Sequence, residues 1–215
     1  MRRSGLRSRA LLGLLAVVLL AGVALLAAGC SGSSPSANQL ANKEGFHADG
    51  VLSPPRAAPP LALNNYLGRP VDIGAYRGKA VLVTFLYTHC PDVCPLITAN
   101  LRVAQNLMGP AVAPRAQIIA VSVDPRGDTP KAVAAFLASH GMTGRMQYLV
   151  GSARQLARVW SAWGVGSERD TQRPELVNHS GLVYGITASG KQATIYAANF
   201  HPADIAHDVP LLAAR

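Results

Sequence analysis

Two cysteines four positions apart, Cys90 and Cys94, stand in the stretch Tyr87-Thr88-His89-Cys90-Pro91-Asp92-Val93-Cys94-Pro95. Thiolates are the form of cysteine that binds metal ions and attacks sulfur. A pair at this spacing has three ordinary explanations: a structural disulfide, half of a zinc site, or a redox or copper site. A disulfide closing so short a loop stabilises little on the loop-entropy argument. A structural zinc site asks for four ligands, and of the chain's three cysteines only Cys30, near the amino terminus, remains. Two thiolates suit a soft ion such as Cu(I), and one added imidazole makes a three-coordinate site that also tolerates Cu(II). That imidazole must come from among six histidines. His140 closes a predicted helix, His207 lies on another, and His47 falls in a predicted tether. His89 adjoins Cys90, but neighbouring residues of an extended segment point to opposite sides. His179 precedes a predicted strand and can approach the cysteines across a sheet; spacing alone does not choose between it and His201.

The elements that position this motif follow from the pattern around it. Residues 79–87 (KAVLVTFLY) are a buried strand that delivers the motif to the carboxyl end of a sheet. Pro95 suits a first helical position, and Leu96, Asn100, Leu101, Ala104 and Leu107 continue at helical spacing. Both cysteines then lie at a helix amino end, where unpaired N–H groups favour thiolate. Residues 116–123 (AQIIAVSV) are a second buried strand, followed by a loop, Asp124 to Asp128, in which Asp124 reads as a turn former. Thr129 and Pro130 open a helix ended by Gly141. Residues 147–150 are a short strand. Ser152 and Gln155 form a capping box for a helix that carries Leu156, Val159, Trp160 and Trp163 on one side until Gly164, the tryptophans reading as core. Residues 166–178 read as a polar, turn-rich loop. Residues 61–71 read as an irregular hairpin, 182–187 and 192–196 as a second one, and 202–212 as a final helix interrupted near Pro210. Strands alternating with helices and flanked by hairpins imply an α/β fold, a mixed sheet covered by helices with antiparallel pairs at one side.

The amino terminus reads as a targeting segment. Arg2, Arg3, Arg7 and Arg9 precede the uncharged residues 10–29, the n-region and h-region of an export signal. Leu25-Leu26-Ala27-Ala28-Gly29-Cys30 resembles a bacterial lipoprotein signal, which makes Cys30 the lipidated residue; an uncleaved signal anchor is the alternative. Residues 31–60, rich in Ser, Ala, Pro and Asn, read as a flexible tether, and 61–215 as the domain. The four arginines account for four of the 20 basic residues, so the rest carries 16 basic against 11 acidic, a net +5 in place of +9. No dense Lys/Arg cluster with interleaved aromatics points to nucleic acid. Export permits disulfides, and lipidation of Cys30 leaves one pair able to oxidise.

Residues 87–95, with Val121-Ser122-Val123-Asp124-Pro125, Asp128-Thr129-Pro130 and Gly78-Lys79, resemble the Sco/SenC family over about residues 61–200. The resemblance implies a thioredoxin-like fold on the outer face of the bacterial plasma membrane, with copper, Cu(I) or Cu(II), bound by two cysteines and a distant histidine. Cys90 and Cys94 match the cysteines and His179 the histidine; His89 and His201 do not. It further implies a lipid-anchored chaperone that delivers copper to the CuA centre of cytochrome c oxidase subunit II or to another copper acceptor. The alternative is a thiol-disulfide oxidoreductase that reduces partner cysteines, with Cys90 and Cys94 catalytic. Two positions depart from the family pattern: Asn178, where an acidic residue usually precedes the histidine, and Gly127, where Arg is frequent.

Overall fold

The computed structural model describes residues 45–173 and 176–215. The expected signal, lipidated Cys30 and the first part of the expected tether lie outside the described residues. The centre of the molecule is the strand β4 (Ala80–Leu86), all seven residues of which are buried. It is paired in parallel with β5 (Ala116–Ser122), which pairs in parallel with β6 (Met146–Val150). Strands covered on both faces read as continuous apolar runs, which is why these were visible in the sequence. Parallel neighbours need crossovers. Helix α1 (Val93–Val112) makes the first and α2 (Pro130–Ser139) the second, and α3 (Ala153–Trp163) follows β6.

The other strands complete a sheet of eight. Antiparallel to β4 lies β9 (Val183–Ile186), then β10 (Lys191–Tyr196), with β1 (Gly50–Ala57) at that edge. The opposite edge is the hairpin of β2 (Ala62–Asn65) and β3 (Pro70–Asp72), joined to β6 through β2. The order is β1-β10-β9-β4-β5-β6-β2-β3. Helix α4 (Pro202–Leu212) follows β10. The expected caps are formed: Thr129 Oγ1 accepts the Ala132 N–H, Ser152 and Gln155 make a reciprocal box, and Gly164 takes φ 67°. Trp163 is buried, and Trp160 donates its indole N–H to the Ser122 carbonyl at 2.9 Å, so both belong to the packing.

Five expectations need correction. The stretch 31–60 read as tether contains β1, and Phe46 and Ala48 are 1% exposed. Strand β1 holds Pro54 and Pro55, which an edge strand tolerates because one side of it pairs. Its register with β10 is broken between Val51 and Arg56, so no clean alternation marked it. Helix α1 starts at Val93, which places Cys94 inside its first turn. Its buried stripe is Ile97, Leu101, Ala104 and Met108, while Leu96 and Leu107 face solvent. Residues 166–178 contain β7 (Ser167–Arg169) and most of β8 (Val177–His179), a separate two-stranded sheet whose polar composition hid it. Helix α4 runs through Pro210 without interruption.

Gly185 shows how closely β9 is covered. A Cβ there would collide with the Thr194 hydroxyl and stand 2.9 Å from Leu212. Gly185→Ala is expected to cost about 1–3 kcal/mol of stability by overpacking, read as a lowered urea midpoint.

Candidate metal centre

Strands β4 and β5 end side by side, and the loops that leave them are tied together by one carboxylate. Asp128, 5% exposed, accepts the Thr88 N–H at 2.8 Å, the Ser122 hydroxyl at 2.6 Å and the Tyr148 hydroxyl at 2.9 Å. Burial pushes the Asp128 carboxyl up from its ordinary value, while these donors pull it down. The first residue past Tyr87 is thus pinned from below. Asp124 Oδ1 accepts the Arg126 N–H at 3.2 Å, a turn geometry in keeping with the structural role read from sequence.

From Thr88 the chain passes His89 and reaches Cys90, which is half-buried; Cys94 is 0% exposed, and neither is in a disulfide. The Cys94 N–H, one of the unpaired donors of the first turn of α1, donates to Cys90 Sγ at 3.3 Å. Strand β8 carries His179 to the same place, with its Nε2 3.7 Å from Cys94 Sγ. The other ring nitrogen, Nδ1, lies 3.2 Å from the Ser180 carbonyl, which assigns the proton to Nδ1 and leaves the Nε2 lone pair toward the sulfur. Tyr87 joins the two segments. Its hydroxyl accepts the Val177 N–H at 3.3 Å and hydrogen-bonds Cys90, and its ring stands edge-on to His179 with centroids 5.8 Å apart.

These contacts make the two sulfurs unequal. The Cys94 thiol donates to Cys90, and backbone N–H groups of Asp92 and Cys94 and the Tyr87 hydroxyl add to it. Together they outweigh burial and lower the Cys90 pKa to about 5. Cys94 is pushed far up, first by its bond to Cys90 and then by burial, and so keeps its proton. Burial lifts Tyr87 to about 12 and lowers His179, so the imidazole stays neutral, the form that ligates metal. Above pH about 5 Cys90 is therefore thiolate. Iodoacetamide is expected to modify it in the reduced, metal-free chain with a midpoint several units below that of an ordinary thiol, and to spare Cys94. Tyr87→Phe removes one donor and shifts that midpoint upward; an ordinary midpoint in the wild type would refute this arrangement.

Of the two histidines that spacing left open, His179 is the one brought to the cysteines. His201 stands exposed at the N-cap of α4. His89 is exposed with Nδ1 3.1 Å from the Thr88 hydroxyl, His140 binds the Phe136 carbonyl, and His47 and His207 stack at 3.7 Å. Among the described residues no three His, Cys, Asp or Glu side chains are already disposed as a finished metal cage. Cys90, Cys94 and His179 are nonetheless neighbours, linked by the Cys94 N–H to Cys90 Sγ at 3.3 Å and by the 3.7 Å approach of His179 Nε2 to Cys94 Sγ. Tyr87 and Asp128 are supporting residues whose roles the sequence motifs did not assign. A tyrosine hydroxyl at the end of a buried strand, and a second acid closing the short loop that leaves another buried strand, both demand partners once buried, and that demand was the available signal.

The two departures have structural readings. Asn178 is exposed on the wall of the cavity that faces Cys90 and His179. At Gly127 an added Cβ would collide with the Asp124 carboxylate and stand 3.0 Å from His89 Nδ1, so a larger residue there requires those two side chains to shift. Asp128 draws its hydrogen bonds from Thr88, Ser122 and Tyr148, none of them a charged donor.

Comparison with known proteins gives a consistent picture. A family model described as SCO1/SenC matches residues 52–214. A curated relative, the mitochondrial SCO2 homolog of Bos taurus, is 30% identical over 141 residues, 64% of this chain and 52% of that protein. The chain spans about half to two thirds of the length of the curated relatives it matches. The solved structure of Bradyrhizobium japonicum ScoI with copper bound superposes with a TM-score of 0.64 at 26% identity, covering 73% of this chain and 99% of that one. A SCO1/SenC family lipoprotein from Bacillus anthracis gives a TM-score of 0.64 at 25% identity, covering 74% and 95%.

Proposed function

The chain belongs to the SCO1/SenC family and has its thioredoxin-like fold, and from that premise we propose that it is a membrane-tethered extracytoplasmic copper chaperone. Copper, as Cu(I) or Cu(II), is its cargo, and Cys90, Cys94 and His179 are the ligands. The observation that carries this reading is the approach of His179 Nε2 to Cys94 Sγ at 3.7 Å across 85 positions of sequence, beside a thiolate at Cys90. Two sulfurs and one imidazole are a soft donor set that suits Cu(I) and accommodates Cu(II). The copper-bound relative from Bradyrhizobium japonicum supports the choice of metal.

The residues divide the work. Cys90 is thiolate at neutral pH and takes the incoming ion first. Cys94 loses its proton to water as the ion arrives, because a coordinating thiol is deprotonated. His179 needs no proton change. Tyr87 holds the cysteine loop to β8, and Asp128 holds the same loop to β5. Copper then passes by ligand exchange to the cysteines of an acceptor, which we take to be the CuA centre of cytochrome c oxidase subunit II. The anchor is lipid on Cys30, at the outer face of the bacterial plasma membrane; the export pattern of residues 1–30 and the Bacillus anthracis lipoprotein support that placement.

One observation favours a second activity on the same dithiol. A low-pKa sulfur next to a buried, protonated one is the asymmetry of a thiol-disulfide reductant, with Cys90 attacking and Cys94 resolving. Deleting the gene and assaying oxidase copper content, with and without added copper, tests the main reading. Loss that added copper restores is the expected result, and unchanged oxidase copper would remove the CuA assignment.

A further inference from the structure

Cys90 opens onto two cavities, one on each side of its loop. The first, about 470 Å³, faces β8 and is bounded by Asp92, Arg173, Asn178, His179 and Ala198. The second, about 390 Å³, faces α2 and is bounded by Thr88, His89, Pro95, Ala135, Phe136 and His140. Cys90 lines both, whereas Cys94 is sealed from solvent and lines neither.

The two cavities differ in chemistry. An ion held by Cys90, Cys94 and His179 belongs to the first, where the imidazole is. The second contains no part of His179 and no carboxylate. Its walls are Pro95, Ala132, Ala135 and Phe136, with hydroxyls from Thr88 and Ser139 and imidazoles from His89 and His140. Both imidazoles have Nδ1 engaged, His140 with the Phe136 carbonyl at 2.8 Å and His89 with Thr88 Oγ1 at 3.1 Å. A disulfide is uncharged and soft, so an apolar wall accepts it. The thiolate released when it is cleaved meets no negative charge there. Attack on a disulfide needs access to one sulfur and room for the other to depart. Only Cys90 offers that access.

We propose that Cys90 serves two faces: copper is held and handed over on the His179 side, and a disulfide-bearing segment of a partner protein docks in the α2-side cavity and is reduced there by Cys90. This rests on the reading of Cys90 and Cys94 as a working dithiol. The Cys90 thiolate attacks one sulfur of the partner disulfide. The partner S–S bond breaks as the mixed disulfide forms, and the departing thiolate takes a proton from water. Cys94 then yields its proton to water and attacks Cys90 Sγ, forming the Cys90–Cys94 disulfide and releasing the second partner thiol. The partner gains two electrons and the cysteine pair loses two. Copper holding and reduction exclude each other on one chain, because both engage Cys90.

The test narrows each cavity separately in the full chain, purified in detergent. Ala135→Trp fills the α2 side and Ala198→Trp the His179 side; Ser139→Trp, one turn further along α2, replaces the first if it does not fold by circular dichroism. Two rates are measured on each. One is exchange of the reduced, copper-free chain with a short synthetic peptide closed by a disulfide. The other is Cu(I) transfer, from chains loaded to one copper each, to the same peptide in reduced form. The expected result is a crossing: Ala135→Trp slows exchange about tenfold more than transfer, and Ala198→Trp does the reverse. Equal slowing of both rates by either variant, or a crossing of opposite sense, overturns the two-face assignment. Absence of exchange in the wild type, with oxidised glutathione as well as with the peptide, removes the dithiol reading and the proposal together.

Discussion

His179→Ala is expected to lower Cu(II) affinity by at least about a hundredfold, since losing a ligand exceeds the 10–100-fold cost of losing a residue that merely supports one. Two thiolates alone satisfy Cu(I), a soft ion content with few ligands, whereas Cu(II) needs the nitrogen. The loss is therefore expected to be much smaller for Cu(I). Competition titrations against a chelator, run once anaerobically with reductant and once with Cu(II), separate the two. His179 is a half-buried residue at the end of a short strand, its ring edge-on to Tyr87. Truncating it removes no large part of the core, so a fall in affinity reports coordination. A Cu(II) affinity within about tenfold of the wild type would exclude His179 as a ligand.

The second large effect lies at the opposite margin of the domain, in residues whose composition looks like linker. Phe46→Ala is expected to destabilise the fold by roughly 3–5 kcal/mol, the usual cost of truncating a buried phenylalanine. Its ring is 1% exposed, with the Arg215 guanidinium 4.6 Å from its centroid. The neighbouring His47 N–H donates to both oxygens of Asp208, at 2.8 and 3.0 Å, and the Ala197 N–H reaches Asp49 at 2.8 Å. Asp208 is itself fully buried and receives the Tyr196 hydroxyl. Chemical denaturation measures the change. With total stabilities commonly 5–15 kcal/mol, a loss of that size leaves a marginal domain. A cost below about 1 kcal/mol would show that this segment is not part of the cooperative unit.

Where sequence reading failed, it failed for identifiable reasons. Strand β1 is built from Pro54, Pro55 and a broken register, so no period of two survived to be read. The polar hairpin of β7 and β8 has too few apolar positions to show any period, although it delivers His179. In α1 the apolar positions cover more than one face, and only packing in the folded domain decided that Ile97 and Leu101 turn inward while Leu96 and Leu107 turn out. The two extra residues at its start placed Cys94 inside the helix, where its N–H donates to Cys90.

By itself the sequence determined the central strands, the helix caps and the cysteine pair with its preference for soft metals. All of these are local: a seven-residue run that is apolar but for one threonine, a Ser three positions from a Gln, or two sulfurs four apart need no distant partner to be recognised. Spacing left open which histidine meets the sulfurs, which the resemblance assigns to His179 and the fold brings to Cys94; which sulfur carries the charge, and that residues 50–57 join the sheet, only the tertiary structure decided. Each of those depends on groups far apart in the chain. His179 and Cys94 are 85 positions apart, Tyr87 and Val177 90, and His47 and Asp208 161. Proton placement on Cys90 and Cys94 follows from burial and hydrogen bonds that exist only once β8 has folded against the cysteine loop.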